Sequence, residues 1–227
     1  MFSQESIRML VLFLPILILS LSIHEWAHAK AADKLGDATA KYLGRLTIDP
    51  MAHISLMGTV VFPAIAVLTG APLFGWAKPV PVDMRNFKNP RGGMGLVAAA
   101  GPASNILIAL LLAATLSFAN SYYGAGVSGM RSMQGLPAAI ADMLIMGVQL
   151  NAFLAFFNLL PLPPLDGSRI VAGLGGKDVA NLMDRIEPYG FYILLGIFFF
   201  FRGLLQYLVI PVMIFINLVL SLFGVQA

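Results

Sequence analysis

The chain has 227 residues, of which 59% are hydrophobic and 11% are charged, and its formal net charge is +3 at pH 7. Soluble domains carry about 25% charged residues, so the composition indicates a polytopic membrane protein with no room for a separate soluble domain. The lack of cysteine excludes disulfides and thiolate metal sites. With no basic stripe along the chain, nucleic acid is excluded as a partner.

Residues 7–29 form the first predicted span, and Met9 to Ile23 contains no charged residue. We interpret it as a retained helix, because no small-residue cleavage site follows it. The span ends in His24-Glu25-Trp26-Ala27-His28. On a helix, HExxH places two imidazoles at i and i+4 on one face with a carboxylate beside them, which is typical of a zinc site with a general base. The alternative is a histidine pair at the membrane interface.

The next segment is short and less regular. Its alternating residues and Gly44 predict a small β-hairpin near 39–49. An apolar stretch follows at 54–70, interrupted by Pro63, and then a proline-rich segment, Phe74 to Val82, which should be extended.

The rest of the chain predicts further helices and no internal repeat. The expected spans are 94–118, 136–160, 188–202 and 204–223. The last two are interpreted as a C-terminal helical hairpin at about 188–223, the alternative being one span followed by a surface helix. The predicted fold is an all-α polytopic membrane protein with about five to six transmembrane helices and a re-entrant segment near 54–82. We treat residues 1–227 as one membrane-embedded domain with a catalytic core at about 7–170.

A catalytic zinc site needs a third protein ligand and an open position. The best source is the loop after the 136–160 span, where three prolines precede Leu165-Asp166-Gly167. An acid in irregular backbone at the edge of a span is a candidate functional residue. Asp166 could instead cap the helix after Gly167, and His53 could replace it as the third ligand.

HEWAH paired with the downstream NxxPxxxLDG pattern, Asn158 to Gly167, resembles the site-2 protease family of intramembrane zinc metalloproteases, peptidase family M50. Gly101 to Asn105 resembles the GPxxN helix start of that family. The stretches Gly44 to Thr59 and FGWAKPVPV resemble its compact branch, which lacks PDZ and CBS domains.

The resemblance implies one Zn²⁺ held by His24, His28 and Asp166, with Glu25 as the general base. It implies Asn158 as the donor to the oxyanion, and His53 and Asn105 as weaker candidates for contacts to substrate or to the ligands. For both asparagines the alternative is a hydrogen bond between helices.

The three ligands must meet at one membrane depth, on the side where the first span ends, which we call side B. If 54–70 re-enters, side B holds 11 of the 14 basic residues and side A holds three; a full crossing gives eight against six. The positive-inside rule favours re-entry and a site that faces the cytoplasm of a plasma (inner) membrane, expected to be prokaryotic. The side B residues are Lys30, Lys34, Lys41, Arg45, Lys78, Arg85, Lys88, Arg91, Arg169, Lys177 and Arg185; Arg8, Arg131 and Arg202 are on side A.

The expected partners are the lipid bilayer and a transmembrane protein substrate. A substrate helix hides its carbonyls in its own hydrogen bonds, so it must unwind before attack, and residues 39–49 could bind it by strand addition. Two other classes stay open. A zinc transporter usually has repeated halves and midplane ligands, and an inactive scaffold would have no use for Glu25.

Overall fold

Every regular element is helical in the computed structural model, which is described for residues 4–70, 75–124, 126–133, 135–200 and 202–225. Among the described residues, three helices are long and apolar enough to cross a membrane: α1 (Gln4–Leu35), α5 (Pro90–Tyr123) and α7 (Leu136–Asn158). The helices in chain order are α1 (Gln4–Leu35), α2 (Thr39–Tyr42), α3 (Pro50–His53), a π-helical turn (Leu56–Val61), α4 (Phe62–Thr69), a 3-10 turn (Met84–Asn86), α5 (Pro90–Tyr123), α6 (Gly126–Ser132), α7 (Leu136–Asn158), α8 (Asp166–Leu174), α9 (Gly176–Ile186), a 3-10 turn (Glu187–Tyr189), α10 (Gly190–Phe200) and α11 (Arg202–Leu222).

The three long helices pack side by side with alternating directions. Contacts from α1 to α7 join Arg8 to Asp142 and Ser20 to Asn151, so these two helices run in the same direction. Contacts from α1 to α5 run the other way along the chain, which makes α5 antiparallel to both. The end of α1, the start of α5 and the end of α7 therefore lie together on side B.

Small residues let α5 and α7 approach closely, as expected where lipid removes the hydrophobic drive for association. A Cβ on Gly147 would lie 2.6 Å from Leu112 Cδ1, so no larger residue fits there without a shift of that side chain. Ala109, Ala113 and Ala152 are fully buried in the same helices.

The predicted hairpin at 39–49 is wrong, because this stretch forms helix α2 and a turn. The Asp37 carboxylate accepts hydrogen bonds from the Thr39 amide and hydroxyl, which starts a helical turn. Gly44 then ends it with φ +68°, while the Arg45 amide bonds to Ala40 O and the Gly44 amide to Lys41 O. That is the Schellman pattern of a helix C-terminus, so Gly44 closes a helix rather than a hairpin.

Residues 53–82 leave side B and return to it. The Trp76 amide donates to Gly58 O and the Lys78 amide donates to His53 O, so the returning chain lies beside the outgoing one. A fold-back of this kind is required by the antiparallel α1 and α5, since one full crossing between them would make them parallel. Residues 75–83 contain no helical turn, as their prolines predict. Residues 71–74, including Phe74, lie outside the described residues.

The C-terminal helices together run from one side of the bundle to the other: α10 begins on side B, and α11 ends on side A. Gly190 at the start of α10 lies against Pro163 on side B, where an added Cβ would be 2.4 Å from the proline carbonyl oxygen. Beyond α11, Phe223 O accepts a hydrogen bond from Ser117 in the side A half of α5. This course differs from the predicted hairpin, whose two ends would share one side. Residues of α11 pack with α5, α6 and α7 in one hydrophobic core.

Candidate metal centre

The two histidines of the HExxH motif face the interior of the helix bundle. His24 and His28 are one helical turn apart on α1 and are only 5% and 8% exposed. Their Nε2 atoms lie 3.0 Å apart, and the two rings meet edge to face. Helical spacing therefore brings one nitrogen of each ring to a common point.

Asp166 completes this cluster from the other half of the chain. Its Oδ2 lies 3.2 Å from His24 Nε2 and 3.4 Å from His28 Nε2. The three ligand atoms lie within 4.8 Å of one another, and this is the one such group among the described residues. Gly167 makes the approach possible, because a Cβ there would be 2.3 Å from the carbonyl oxygens of Leu159 and Leu160.

The hydrogen bonds of the two rings fix which nitrogen faces the cluster. The Nδ1 atom of His24 lies against Asn105 Oδ1, and that of His28 against Val97 O at 2.8 Å. Both partners are acceptors, so each Nδ1 carries the proton and, in the neutral ring, each Nε2 presents a lone pair. Zinc-binding histidines are held by outer hydrogen bonds of this kind.

The converging atoms fit a divalent cation. Two nitrogen lone pairs and a carboxylate oxygen would repel one another, and Asp166 Oδ2 is buried with no hydrogen-bond partner among the described residues. Two histidines and one carboxylate leave a fourth position open, which is the ligand set of a catalytic zinc site. The residues present therefore fit zinc.

Helix α5 supplies space and support for the histidine pair. A Cβ on Gly101 would lie 2.4 Å from His28 Nε2 and 2.6 Å from His24 Cε1. Asn105, one turn further on the same helix, holds His24. The helix start that the resemblance implied at Gly101 to Asn105 is wrong, since α5 begins at Pro90.

A buried chain of polar side chains continues from Asn105. Its Nδ2 donates to Asn151 Oδ1 at 2.9 Å, and Asn151 donates in turn to Ser20 Oγ and Gly147 O. Asn105 and Asn151 are both fully buried. Asn151 was not among the predicted site residues, although an amide in an apolar span is a signal for a contact between helices.

Glu25, His53 and Asn158 lie outside the ligand cluster. Glu25 is half-buried on α1 next to His24, and its Oε2 accepts a hydrogen bond from the Val80 amide at 2.8 Å. His53 is buried, and its Nε2 donates to Thr47 O at 2.7 Å. The Nδ2 of Asn158 donates to Leu154 O in its own helix.

A buried cluster of potential metal ligands with a second carboxylate on the same helix, set in a bundle of membrane-length helices, is typical of a membrane-bound metallohydrolase. Comparison with known proteins narrows the class. The model of peptidase family M50 matches residues 123–201, which include Asp166. The chain is 41% identical over 182 residues to the Bacillus subtilis (strain 168) protein named "Putative zinc metalloprotease YwhC", a match covering 80% of this chain and 77% of that protein.

Two mycobacterial relatives share the name "Putative zinc metalloprotease Rip2". The Mycolicibacterium smegmatis protein is 26% identical over 78% of this chain and 62% of its own length, and the Mycobacterium tuberculosis H37Rv protein is 31% identical over 66% and 52%. No solved structure matches the chain. The chain belongs to peptidase family M50 and is a zinc metalloprotease, as the resemblance predicted.

Proposed function

We propose that the protein hydrolyses peptide bonds within or next to the transmembrane segments of membrane proteins. The observation that carries this proposal is the position of the ligand cluster, on a helix that is long and apolar enough to span a bilayer. Because the site is built into such a helix, a chain that enters the bilayer can reach it more readily than a soluble chain can. His24, His28 and Asp166 are the proposed zinc ligands; when bound, zinc polarises a carbonyl and lowers the pKa of a bound water.

Glu25 is the proposed general base. It directly follows His24 on the helix that carries both histidines, and its carboxylate accepts one hydrogen bond from the Val80 amide, so it can accept a proton and later return it to the leaving amine. Asn158 is the proposed donor to the oxyanion. One of its two amide hydrogens is used by Leu154 O, and the second has no hydrogen-bond acceptor among the residues that the structure describes.

Asn105 and His53 have supporting roles in this proposal. Asn105 orients His24 by accepting a hydrogen bond from the Nδ1 of the His24 ring, and it does not contact substrate. His53 holds the loop at Thr47 and, through its carbonyl, the returning chain at Lys78.

Cleavage of a purified substrate tests the function. The wild-type protein, Glu25→Gln and the exposed-site control Glu187→Gln are reconstituted with zinc and a synthetic single-span peptide. We expect Glu25→Gln to keep zinc and lose cleavage by at least about 1,000-fold, since it removes the proton acceptor, and Glu187→Gln to cleave as wild type. Cleavage by Glu25→Gln at the wild-type rate would refute the proposed role of Glu25.

The fold-back at 53–82 is proposed to be a re-entrant membrane segment, with side B in the cytoplasm. The excess of basic residues on side B supports this orientation. The chain has no cysteine, so single-cysteine variants report sidedness cleanly. An impermeant thiol reagent added to whole cells should label Tyr122→Cys and spare Lys88→Cys; the reverse pattern would contradict the orientation.

Local unwinding of the substrate is the expected requirement at the site. A helical substrate presents no free carbonyl until its hydrogen bonds open. A Gly-Pro pair placed near the scissile bond should therefore raise kcat/KM relative to a Leu-Leu pair in the same peptide. If the pair never raises the rate, unwinding does not limit cleavage.

A further inference from the structure

The extended segment that returns to side B touches the proposed base through one backbone group. The Val80 amide donates to Glu25 Oε2 at 2.8 Å. Val80 lies between Pro79 and Pro81, neither of which has an N–H, so it supplies the one backbone donor of this tripeptide. A residue before proline is also restricted to extended conformations. The sequence Pro-Val-Pro thus presents a single N–H on a stiff backbone.

Contacts on both sides of Val80 fix the segment in place. The guanidinium of Arg45 donates to Lys78 O at 2.7 Å and to Pro79 O at 3.3 Å, and Arg45 is only 9% exposed. Further along, the Asp83 amide donates to the buried Asp37 carboxylate at the end of α1. The donor at residue 80 is therefore held from two directions relative to the helix that carries Glu25.

We propose that the Val80 N–H is a positioning group for the general base, and that Arg45 supports it. The inference rests on the proposed role of Glu25. A glutamate has three rotatable bonds, and holding Oε2 fixes the carboxylate so that Oε1 is the oxygen that takes up the proton. Orientation of this kind contributes to rate rather than to substrate binding.

The contact itself is measurable without an assay of activity. In protein labelled with ¹⁵N-valine, the Val80 amide resonance is assigned by its loss in Val80→Ala. We expect Glu25→Ala to move this resonance upfield and to speed its hydrogen exchange by at least about tenfold, since a bond to a carboxylate is lost. Glu187→Ala should leave it in place. An amide unaffected by Glu25→Ala would overturn the proposal, and the other valine resonances report whether the variant is folded.

Kinetics distinguish positioning from other uses of the segment. The α-hydroxy acid analogue of valine at residue 80 replaces the N–H by an ester oxygen, while Val80→Ala keeps the N–H and removes only the two methyl groups of the side chain. On the single-span peptide we expect the ester to lower kcat by about 10- to 100-fold more than Val80→Ala does. KM and zinc content should change less than about twofold.

Arg45→Gln should also lower kcat, and Arg45→Lys should lower kcat less than Arg45→Gln does. A raised KM with unchanged kcat in the ester variant would assign the segment to substrate binding, and a raised kcat/KM would make it a plug over the site. Either result overturns the proposal while leaving Glu25 as the base. Cleavage by Glu25→Gln at the wild-type rate would instead remove the proposed function on which the inference rests.

Discussion

Two aspartates in this molecule each lie between two nitrogen-bearing side chains, with opposite consequences. On side A, Asp142 accepts from Arg8 at 2.7 Å and from Arg131 at 2.9 Å, and both arginines are about half exposed. On side B, Asp166 lies beside two buried imidazoles whose protons point away from it. The first carboxylate is satisfied by its neighbours and the second is not.

The difference shows what separates a structural ion pair from a metal site. The guanidinium groups of two arginines neutralise Asp142 at a water-exposed position, where an ion pair contributes up to about 1 kcal/mol to the free energy of unfolding. The imidazoles at Asp166 offer acceptors, and burial removes water as an alternative partner, so a cation is needed to make the arrangement stable. The outer hydrogen bonds to Asn105 and Val97 set this orientation of the rings.

Exchanging each aspartate for asparagine gives the largest contrast. Asp166→Asn removes the proposed anionic ligand, and we expect it to lose tightly bound zinc and at least about 1,000-fold in cleavage. Asp142→Asn should retain zinc and cleave within about threefold of wild type. Zinc per chain and cleavage of the single-span peptide measure both. Equal losses of zinc and of cleavage in the two variants would contradict the assignment of Asp166 as a zinc ligand.

The next comparison is between two glycines, one packed against the histidine rings and one facing open space. Gly101→Ala places a methyl group 2.4 Å from His28 Nε2, and we expect zinc affinity to fall at least about 100-fold because the ring must move. Gly196→Ala on α10 is the matched control, since a Cβ there meets nothing within 4 Å. Competition with a chelator gives both affinities. Unchanged affinity in Gly101→Ala would show that the helices can separate without cost to the site.

Removing the outer support of His24 should have a smaller effect. Asn105→Ala deletes the acceptor of the His24 proton, and we expect zinc affinity or kcat to fall about 10- to 100-fold. Asn151→Ala acts one hydrogen bond further away and should cost less than Asn105→Ala. In the double variant the losses should be less than additive, because both act through one chain of contacts. Additive losses would indicate independent roles.

The smallest expected effect is a pH dependence of stability at the end of α1. Burial raises the pKa of Asp37, but hydrogen bonds from Thr39, Asn86 and the Asp83 amide outweigh it and lower the pKa below its usual value. Because the pKa of Asp37 is lower in the folded than in the unfolded chain, the ionised carboxylate stabilises the fold at any pH above its unfolded-state pKa of about 3.9. This stabilisation is lost as the pH falls through the folded-state pKa. Asp37→Asn should therefore destabilise by about 1 kcal/mol at pH 6 and by less at pH 3, measured by denaturant unfolding. A difference that does not shrink at pH 3 would contradict this cause.

Helical periodicity made the histidine pair predictable, because spacing of four residues on one helix fixes where both rings point. Asp166 was predictable from a different kind of signal, an acid in a proline-rich loop at the end of an apolar span. The antiparallel contacts of α1 and α5 agree with the depth constraint that required the chain to turn back between them.

The features that the sequence did not reveal depend on contacts between distant residues. Nothing in an apolar span shows toward which helix Asn151 points. The alternating residues after Asp37 suggested a hairpin, but the Asp37 carboxylate accepts hydrogen bonds from Thr39 at the start of a helical turn, a contact that periodicity does not encode. The Val80 contact uses a backbone group, which has no signature in residue type beyond its flanking prolines.

Zinc-edge X-ray absorption on the purified protein would show directly whether His24, His28 and Asp166 form one metal centre. We expect one zinc per chain with two imidazole nitrogens and oxygen ligands at about 2.0–2.2 Å and no sulfur. His28→Ala should lose one imidazole from the spectrum or lose the metal. A zinc with a single imidazole in the wild-type protein, or an unchanged spectrum in His28→Ala, would contradict the assignment of His24, His28 and Asp166 to one metal centre.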